Sequence, residues 1–309
     1  MFNESSRICF IGDSITDCGL QIRRIYSYFR KKLKLPLTIY NCGVAGDTAE
    51  HGFLRLDETV LIHNPTDIVI AFGVNDIDIG LYKEEADEKN IIERRRRLDN
   101  CIQNVKNIVG WCKSKDINVI LCTPMTLDEL QNESYSVSLG AQGALIELSS
   151  RIRAYAKEIG AKVVDYNKES MKITLKLKAE NKTIYVEDRV HPSKAGYEFM
   201  ARVFLNNLGF DVSIPDTLED LVEISETPHD AWEDERYETE QISHRDFFIR
   251  WALCFNIKDE SLLPDYCDKL LEKETWSVII DKLKAYREDR ITSPIYREKL
   301  KEFMKEIKL

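Results

Sequence analysis

The sequence predicts an α/β fold over its first 210 residues: a parallel five-stranded sheet with helices on both faces. Three observations predict it. Five short runs, at 7–11, 37–41, 67–72, 117–122 and 161–165, are apolar on consecutive positions and rich in Ile and Val. That is how a strand covered on both faces reads. Helical patterns occupy about 21–34, 50–61, 91–114, 139–159 and 193–208. Strand and helix alternate along the chain, the order that builds a parallel sheet through crossovers.

The first run ends abruptly in Gly12-Asp13-Ser14, the second in Asn41-Cys-Gly-Val-Ala-Gly-Asp-Thr48, the third in Gly73-Val74-Asn75-Asp76 and the fourth in Thr123-Pro124. After the fifth, with one helix intervening, comes Glu187-Asp-Arg-Val-His-Pro-Ser-Lys-Ala-Gly-Tyr197. The helix that follows is well marked: Ala195, Phe199, Val203 and Leu208 can share a face, and Ser193 is a good N-cap. The run Arg94–Arg97 adjoins an acidic stretch and reads as a solvated helix face.

Beyond Phe210 the texture changes. Residues 211–309 hold 25 acidic and 15 basic side chains, against 28 and 29 in the first 210. Asp211 to Glu240 holds Pro215 and Pro228, eleven acidic residues from Asp216 onward and one Arg, the composition of a linker or a loosely ordered acidic arm. Helical patterns follow at 244–256, 264–273, 275–289 and 294–308. Phe247, Phe248, Trp251, Leu253 and Phe255 are too many large apolar groups for a free surface helix. They must pack on the first domain, on each other or on another subunit, so homo-oligomerisation through these helices is an expectation. The organisation expected is a domain over 1–212 and an acidic linker with a helical extension over 213–309.

Composition narrows the class. With 309 residues, 43% hydrophobic and 31% charged, the chain reads as soluble and globular. No uncharged apolar run approaches the roughly 18 residues of a membrane span. The N-terminal residues lack a basic start followed by an apolar core, so no secretory signal is expected. The eight cysteines are scattered, with no CxxC pair and no Cys/His zinc spacing. Reduced thiols in a cytoplasmic protein are expected, with no metal and no cofactor. Nothing favours a nucleic-acid partner.

In open α/β sheets, ligands bind outside the carboxyl ends of the strands. The loops there carry every part that acyl transfer to serine requires. A serine hydroxyl is a poor nucleophile until a base takes its proton. His191 can be that base, and Asp188, three residues earlier on the same turn, can fix its tautomer. Backbone N–H groups at Ser14 and in the Gly43–Gly46 loop, with the Asn75 amide, can stabilise an oxyanion. Each piece alone also reads as a turn or a cap; Gly12-Asp13-Ser14 and Asp188-x-x-His191 are common in that role. The four pieces together, all at strand ends, carry the catalytic reading. There is no Walker loop, no G-x-G-x-x-G and no G-x-S-x-G elbow, since Thr16 stands where the last Gly would be.

In this order the four blocks resemble those of the SGNH hydrolases, the GDSL esterase/lipase family. "FIGDSITD" resembles the nucleophile block and "NCGVAGDT" the block whose glycine supplies an oxyanion N–H, which places that role on Gly46. "GVND" resembles the block with the oxyanion Asn, here Asn75, and "DRVHP" the block with the Asp and His of the triad. The resemblance spans 7–210 and implies a flavodoxin-like three-layer α/β/α sandwich. It also implies a cofactor-free Ser14–His191–Asp188 serine esterase acting on a small-molecule ester. "FIGDSITDCG", "LCTPM" and the stretch from Glu187 to Phe210 are similar to intracellular bacterial enzymes that deacetylate xylo-oligosaccharides and other acetylated sugars. A short acyl group, acetyl first, on a sugar or small alcohol is therefore the expected substrate. The alternatives are a lysophospholipase or thioesterase acting on longer chains, and a partner-binding protein whose helical tail is the working part.

Overall fold

The computed structural model describes residues 2–82, 87–128 and 140–226. The chain divides into two units, Met1–Gln241 and Ile242–Leu309, and every described residue lies in the first. The helical patterns expected beyond 243, and any self-association through them, lie outside the described residues.

Five parallel strands form one sheet: β1 (Arg7–Gly12), β2 (Thr38–Gly43), β3 (Asp67–Ala71), β4 (Asn118–Cys122) and β5 (Lys162–Val164). Their order is β2-β1-β3-β4-β5. Each lies within about two residues of its expected run. The helices are α1 (Ser14–Asp17), α2 (Leu20–Ser27), α3 (Ala49–Leu54), α4 (Leu56–Thr59), α5 (Glu88–Lys113), α6 (Ala141–Ile159), α7 (Tyr166–Ala179), α8 (Lys194–Asn207) and α9 (Leu218–Glu226). α2 and α8 pack together on one face of the sheet; α3, α5 and α6 form a row on the other. This is a three-layer α/β/α sandwich. Its hydrophobic core runs through the sheet, with Ile8, Cys9, Ile11 and Ile68 fully buried and Phe10 against Phe204 at 5.4 Å between ring centres.

Register places the chemistry. Gly12 pairs with Gly43 on one side and Ala71 on the other, so β1, β2 and β3 end at one level. The order reverses at β1, so the connections leaving β1 and β3 diverge and leave a crevice between them.

Local sequence sets the element ends. Thr48, Asp87, Asp165 and Ser193 cap α3, α5, α7 and α8, each accepting from a backbone N–H three residues on. The expected helix at 21–34 finishes as one turn of π-helix, Tyr28–Lys32, and the pattern at 50–61 breaks into α3 and α4 at Arg55. Within the basic run, Arg96 and Arg97 pair with Glu93, while Arg94 stacks on the Tyr82 ring at 4.2 Å.

The acidic segment after Phe210 is not all linker. Residues 218–226 form α9, which lies on α8 and buries Leu221 and Ser225. Arg24 of α2 donates to the Ile224 and Ser225 carbonyls, filling acceptors that a helix C-terminus leaves open. Lys194 reaches Glu226 at 2.9 Å. Composition registered the charge of this stretch but not the buried Leu221. Among the described residues no helix is long and apolar enough to cross a membrane.

Candidate active site

β1 delivers Ser14. Gly12 must be glycine, because a Cβ there would come within 2.2 Å of Thr16 Oγ1 and 2.5 Å of the Ala71 carbonyl. Asp13, extended at φ −91°, caps α1 by accepting from Ile15 N–H at 3.0 Å. Ser14 is thus the first residue of a short helix rather than part of a simple turn, and it is half-buried.

The loop after β2 is tied to β1 by Val44 N–H donating to the Gly12 carbonyl at 3.0 Å. It turns back at Gly46, whose φ of 75° is a left-handed conformation that glycine adopts without strain. The loop after β3 is tied to it in turn. The Asn75 side-chain amide donates to the Asp47 carbonyl at 2.9 Å, and Asp76 Oδ1 accepts from Ala49 N–H at 2.9 Å. Among the described residues, no protein acceptor takes the N–H of Ser14 or of Gly46.

His191 and Asp188 share a tight turn closed by an isolated bridge between Tyr185 and Pro192. Val186 N–H donates to the His191 carbonyl at 2.9 Å, and Arg189, at φ 63°, donates back to Val186 at 2.9 Å. Asp188 Oδ1 accepts from the backbone N–H of Val190 at 2.9 Å and of His191 at 2.8 Å. Asp188 Oδ2 lies 2.5 Å from His191 Nδ1, and His191 Nε2 lies 2.7 Å from Ser14 Oγ. The structure therefore brings Ser14, His191 and Asp188 into one unbroken chain. Partial burial alone would raise the Asp188 carboxyl; the hydrogen bonds from His191 and Val190 outweigh it and hold the group below its ordinary value.

Sequence reasoning left three neighbours without a chemical role. Asp13, Asp47 and Asp76 are buried, and each adjoins one of Ser14, Gly46 and Asn75. Arg55 is the counter-charge of one of them, Asp47. Its Nε and Nη2 each lie 2.7 Å from Asp47 Oδ2, Nη1 donates to Thr59 at 3.0 Å, and Nη2 reaches the Gly12 carbonyl at 3.5 Å. Nothing in "HGFLRLDE" distinguishes Arg55 from a surface helix cation. The buried aspartates had a signal, since all three stand inside the strand-end blocks. His51 sits with Nδ1 3.7 Å from Asp47 Oδ1, and exposed Cys18 follows α1 as its C-cap.

A doubly wound sheet of this order, with polar loops gathered at the ends of β1, β2 and β3, has the layout of an SGNH hydrolase, and the sequence decides the family. The model of the GDSL-like lipase/acylhydrolase family matches residues 10–199, and the chain belongs to that family. It is a carboxylic ester hydrolase. An acetylxylan esterase from Geobacillus stearothermophilus is 24% identical over 227 residues, 66% of this chain and 94% of that protein. A crystal structure of a catalytic mutant of the Geobacillus stearothermophilus acetylxylan esterase matches with a TM-score of 0.54 at 23% identity, over 68% of this chain and 97% of that one, a likeness of fold. A gut microbial diltiazem-metabolizing enzyme matches with a TM-score of 0.64 at 26% identity, over 68% of this chain. This chain spans about half of that enzyme, 48%.

Proposed function

We propose that the protein is a serine esterase working through an acyl-enzyme, with Ser14 as nucleophile, His191 as general base and Asp188 as the group that orients it. The observation that carries this is the Ser14–His191–Asp188 chain at 2.7 and 2.5 Å. His191 Nε2 takes the Ser14 proton as Oγ attacks the ester carbonyl. The tetrahedral oxyanion is held by the N–H groups of Ser14 and Gly46 and by the Asn75 amide. His191 then returns the proton to the leaving alcohol, and the acyl group stays on Ser14. A water molecule repeats the sequence, with His191 as its base, and releases the carboxylic acid. The availability of the Ser14 and Gly46 N–H groups supports the oxyanion assignment, as does the tether from Asn75 to the Asp47 carbonyl.

The acyl group in this reading is short, acetyl first, carried on a sugar or other small alcohol. The likeness to an acetylxylan esterase over 94% of that enzyme's length supports it. The chemistry lies in residues 1–212, with 213–309 as an added segment, and the enzyme works in the cytoplasm without metal or cofactor. A fluorophosphonate probe read by intact mass tests the nucleophile: one adduct on the wild type and none on Ser14→Ala is expected. An adduct that persists on Ser14→Ala overturns the assignment. Rates on p-nitrophenyl acetate against longer acyl esters then test chain length, acetate being the faster.

A further inference from the structure

Ser14 stands on a helix of a single turn, since α1 runs only from Ser14 to Asp17. One turn fixes several backbone angles for very few hydrogen bonds, so it keeps its shape only when tied from outside. Its start is tied by Asp13, which accepts from Ile15 N–H. Its end is tied by Asn41 of β2. Asn41 Nδ2 donates to the Asp17 carbonyl at 2.9 Å, an acceptor of the kind a helix end leaves open, and Asn41 Oδ1 accepts from Gly43 N–H at 3.0 Å. These partners fix which way the amide points, because a carbonyl only accepts and an N–H only donates. Asn41 opens the block Asn41–Thr48, which carries Gly46, and Gly43 lies in register with Gly12, two residues before Ser14. One side chain thus bonds both the helix of the nucleophile and the strand end that leads to a proposed oxyanion donor. The contact between the two is close: a Cβ on Gly43 would lie 2.3 Å from the Asp17 backbone nitrogen.

We propose that Asn41 is a positioning residue for the reaction, clamping α1 to the end of β2 and so setting the direction of Ser14 Oγ relative to the Gly46 N–H. The inference rests on the triad and oxyanion reading above and adds a residue to it. In that reading Oγ lies 2.7 Å from His191 Nε2 while the N–H groups of Ser14 and Gly46 converge on one oxygen. Asp13 fixes where the turn begins; Asn41 fixes where it ends, and the two together orient it. Reactive geometry of this kind is sharp, a misplacement of about 1 Å costing on the order of 10²-fold in rate.

The experiment compares full-chain wild type, Asn41→Ala, Asn41→Asp and Gly43→Ala by p-nitrophenyl acetate kinetics, the rate of fluorophosphonate labelling and urea denaturation. Asn41→Ala should lower kcat and the labelling rate together by roughly 10–100-fold, with KM within about threefold of wild type. Asn41→Asp is isosteric and keeps the acceptor for Gly43 N–H, but it sets a carboxylate oxygen against the Asp17 carbonyl. It should lose about as much as Asn41→Ala. Gly43→Ala presses on Asp17 from the other side of the same contact and should give the same pattern. A residue that served the fold alone would lower the urea midpoint and leave kcat and labelling of the folded molecules unchanged. Wild-type kcat and labelling in folded Asn41→Ala or Asn41→Asp, or a loss confined to KM, overturns the proposal; if Asn41→Ala does not fold, Asn41→Asp decides. Failure of the esterase reading is distinct: it shows as no adduct on Ser14 of the wild type.

Discussion

Asp13, Asp47 and Asp76 are at most 5% exposed, whereas the side chains of Asp188 and His191, across the same site, are 41% and 38% exposed. The first three belong to a wall made by the ends of β1, β2 and β3. There the strand register fixes the backbones, and each loop is tied to the next by Val44 on Gly12, Asn75 on Asp47 and Asp76 on Ala49. The other two belong to a turn whose hydrogen bonds mostly close within six residues of chain. A buried wall holds dipoles aimed in advance at a developing charge, where low dielectric makes them count. An exposed turn leaves the base open to the water that must follow the leaving alcohol. In the proposed reaction, electrostatic stabilisation comes from the buried wall and proton traffic from the exposed one.

The largest expected effect lies where the walls meet. Ser14→Ala should lower kcat by about 10⁶, the size seen when a triad nucleophile is removed. Steady-state hydrolysis of p-nitrophenyl acetate measures it, with circular dichroism to show that the variant folds. Turnover at a hundredth of wild type would place the nucleophile elsewhere and dissolve the comparison.

Next comes the buried wall alone. Asn75→Ala removes one side-chain donor and should cost roughly 10²–10³ in kcat, about 3–4 kcal/mol. Little of this should fall on KM, since the interaction strengthens only as the oxyanion forms. A kcat within a few-fold of wild type would make the Asn75 amide a loop tether, through its bond to the Asp47 carbonyl, and nothing more.

The two walls were unequally legible in the sequence. Gly12-Asp13-Ser14 and Gly73-Val74-Asn75-Asp76 stood out because each followed an apolar run, and strand ends are where such loops gather. Asp188-x-x-His191 was legible because a turn of three residues is local. Arg55 was not, because its partner lies eight residues away on a different element and its burial follows from tertiary packing. The same holds for α9: a segment so acidic reads as solvated until Leu221 and the Arg24 contacts are seen. Helix breaks also escaped notice, since the pattern at 50–61 continues through the Arg55 junction that separates α3 from α4.

Arg55 therefore offers a test of the buried wall's stability rather than its chemistry. Arg55→Met removes the counter-charge from Asp47, which is fully buried. Breaking a buried pair from one side typically costs about 3–5 kcal/mol, because the remaining charge keeps its desolvation penalty. Urea denaturation should show that loss. The double variant Arg55→Met with Asp47→Asn should recover a good part of it, since no lone charge remains. If the single variant costs under about 1 kcal/mol, the pair is hydrated and this wall is not as dry as its burial indicates.

The smallest effect is expected on the exposed wall. One of its links to the rest of the fold runs through Asp128, which is buried, donates its N–H to the Arg189 carbonyl at 3.1 Å and accepts from Thr183 Oγ1 at 2.7 Å. Thr183→Val keeps the shape and removes the hydroxyl, leaving Asp128 Oδ2 without that donor and Tyr185 N–H without that acceptor. The loss should be about 1–2 kcal/mol of stability, the usual cost of an unsatisfied buried acceptor. Because Asp188 and His191 are positioned by bonds inside their own turn, kcat should change less than about threefold, under 1 kcal/mol on the barrier. A fall of tenfold or more, with stability barely altered, would reverse the comparison. The turn would then owe its geometry to the Asp128 brace, and the exposed wall would be as dependent on distant packing as the buried one.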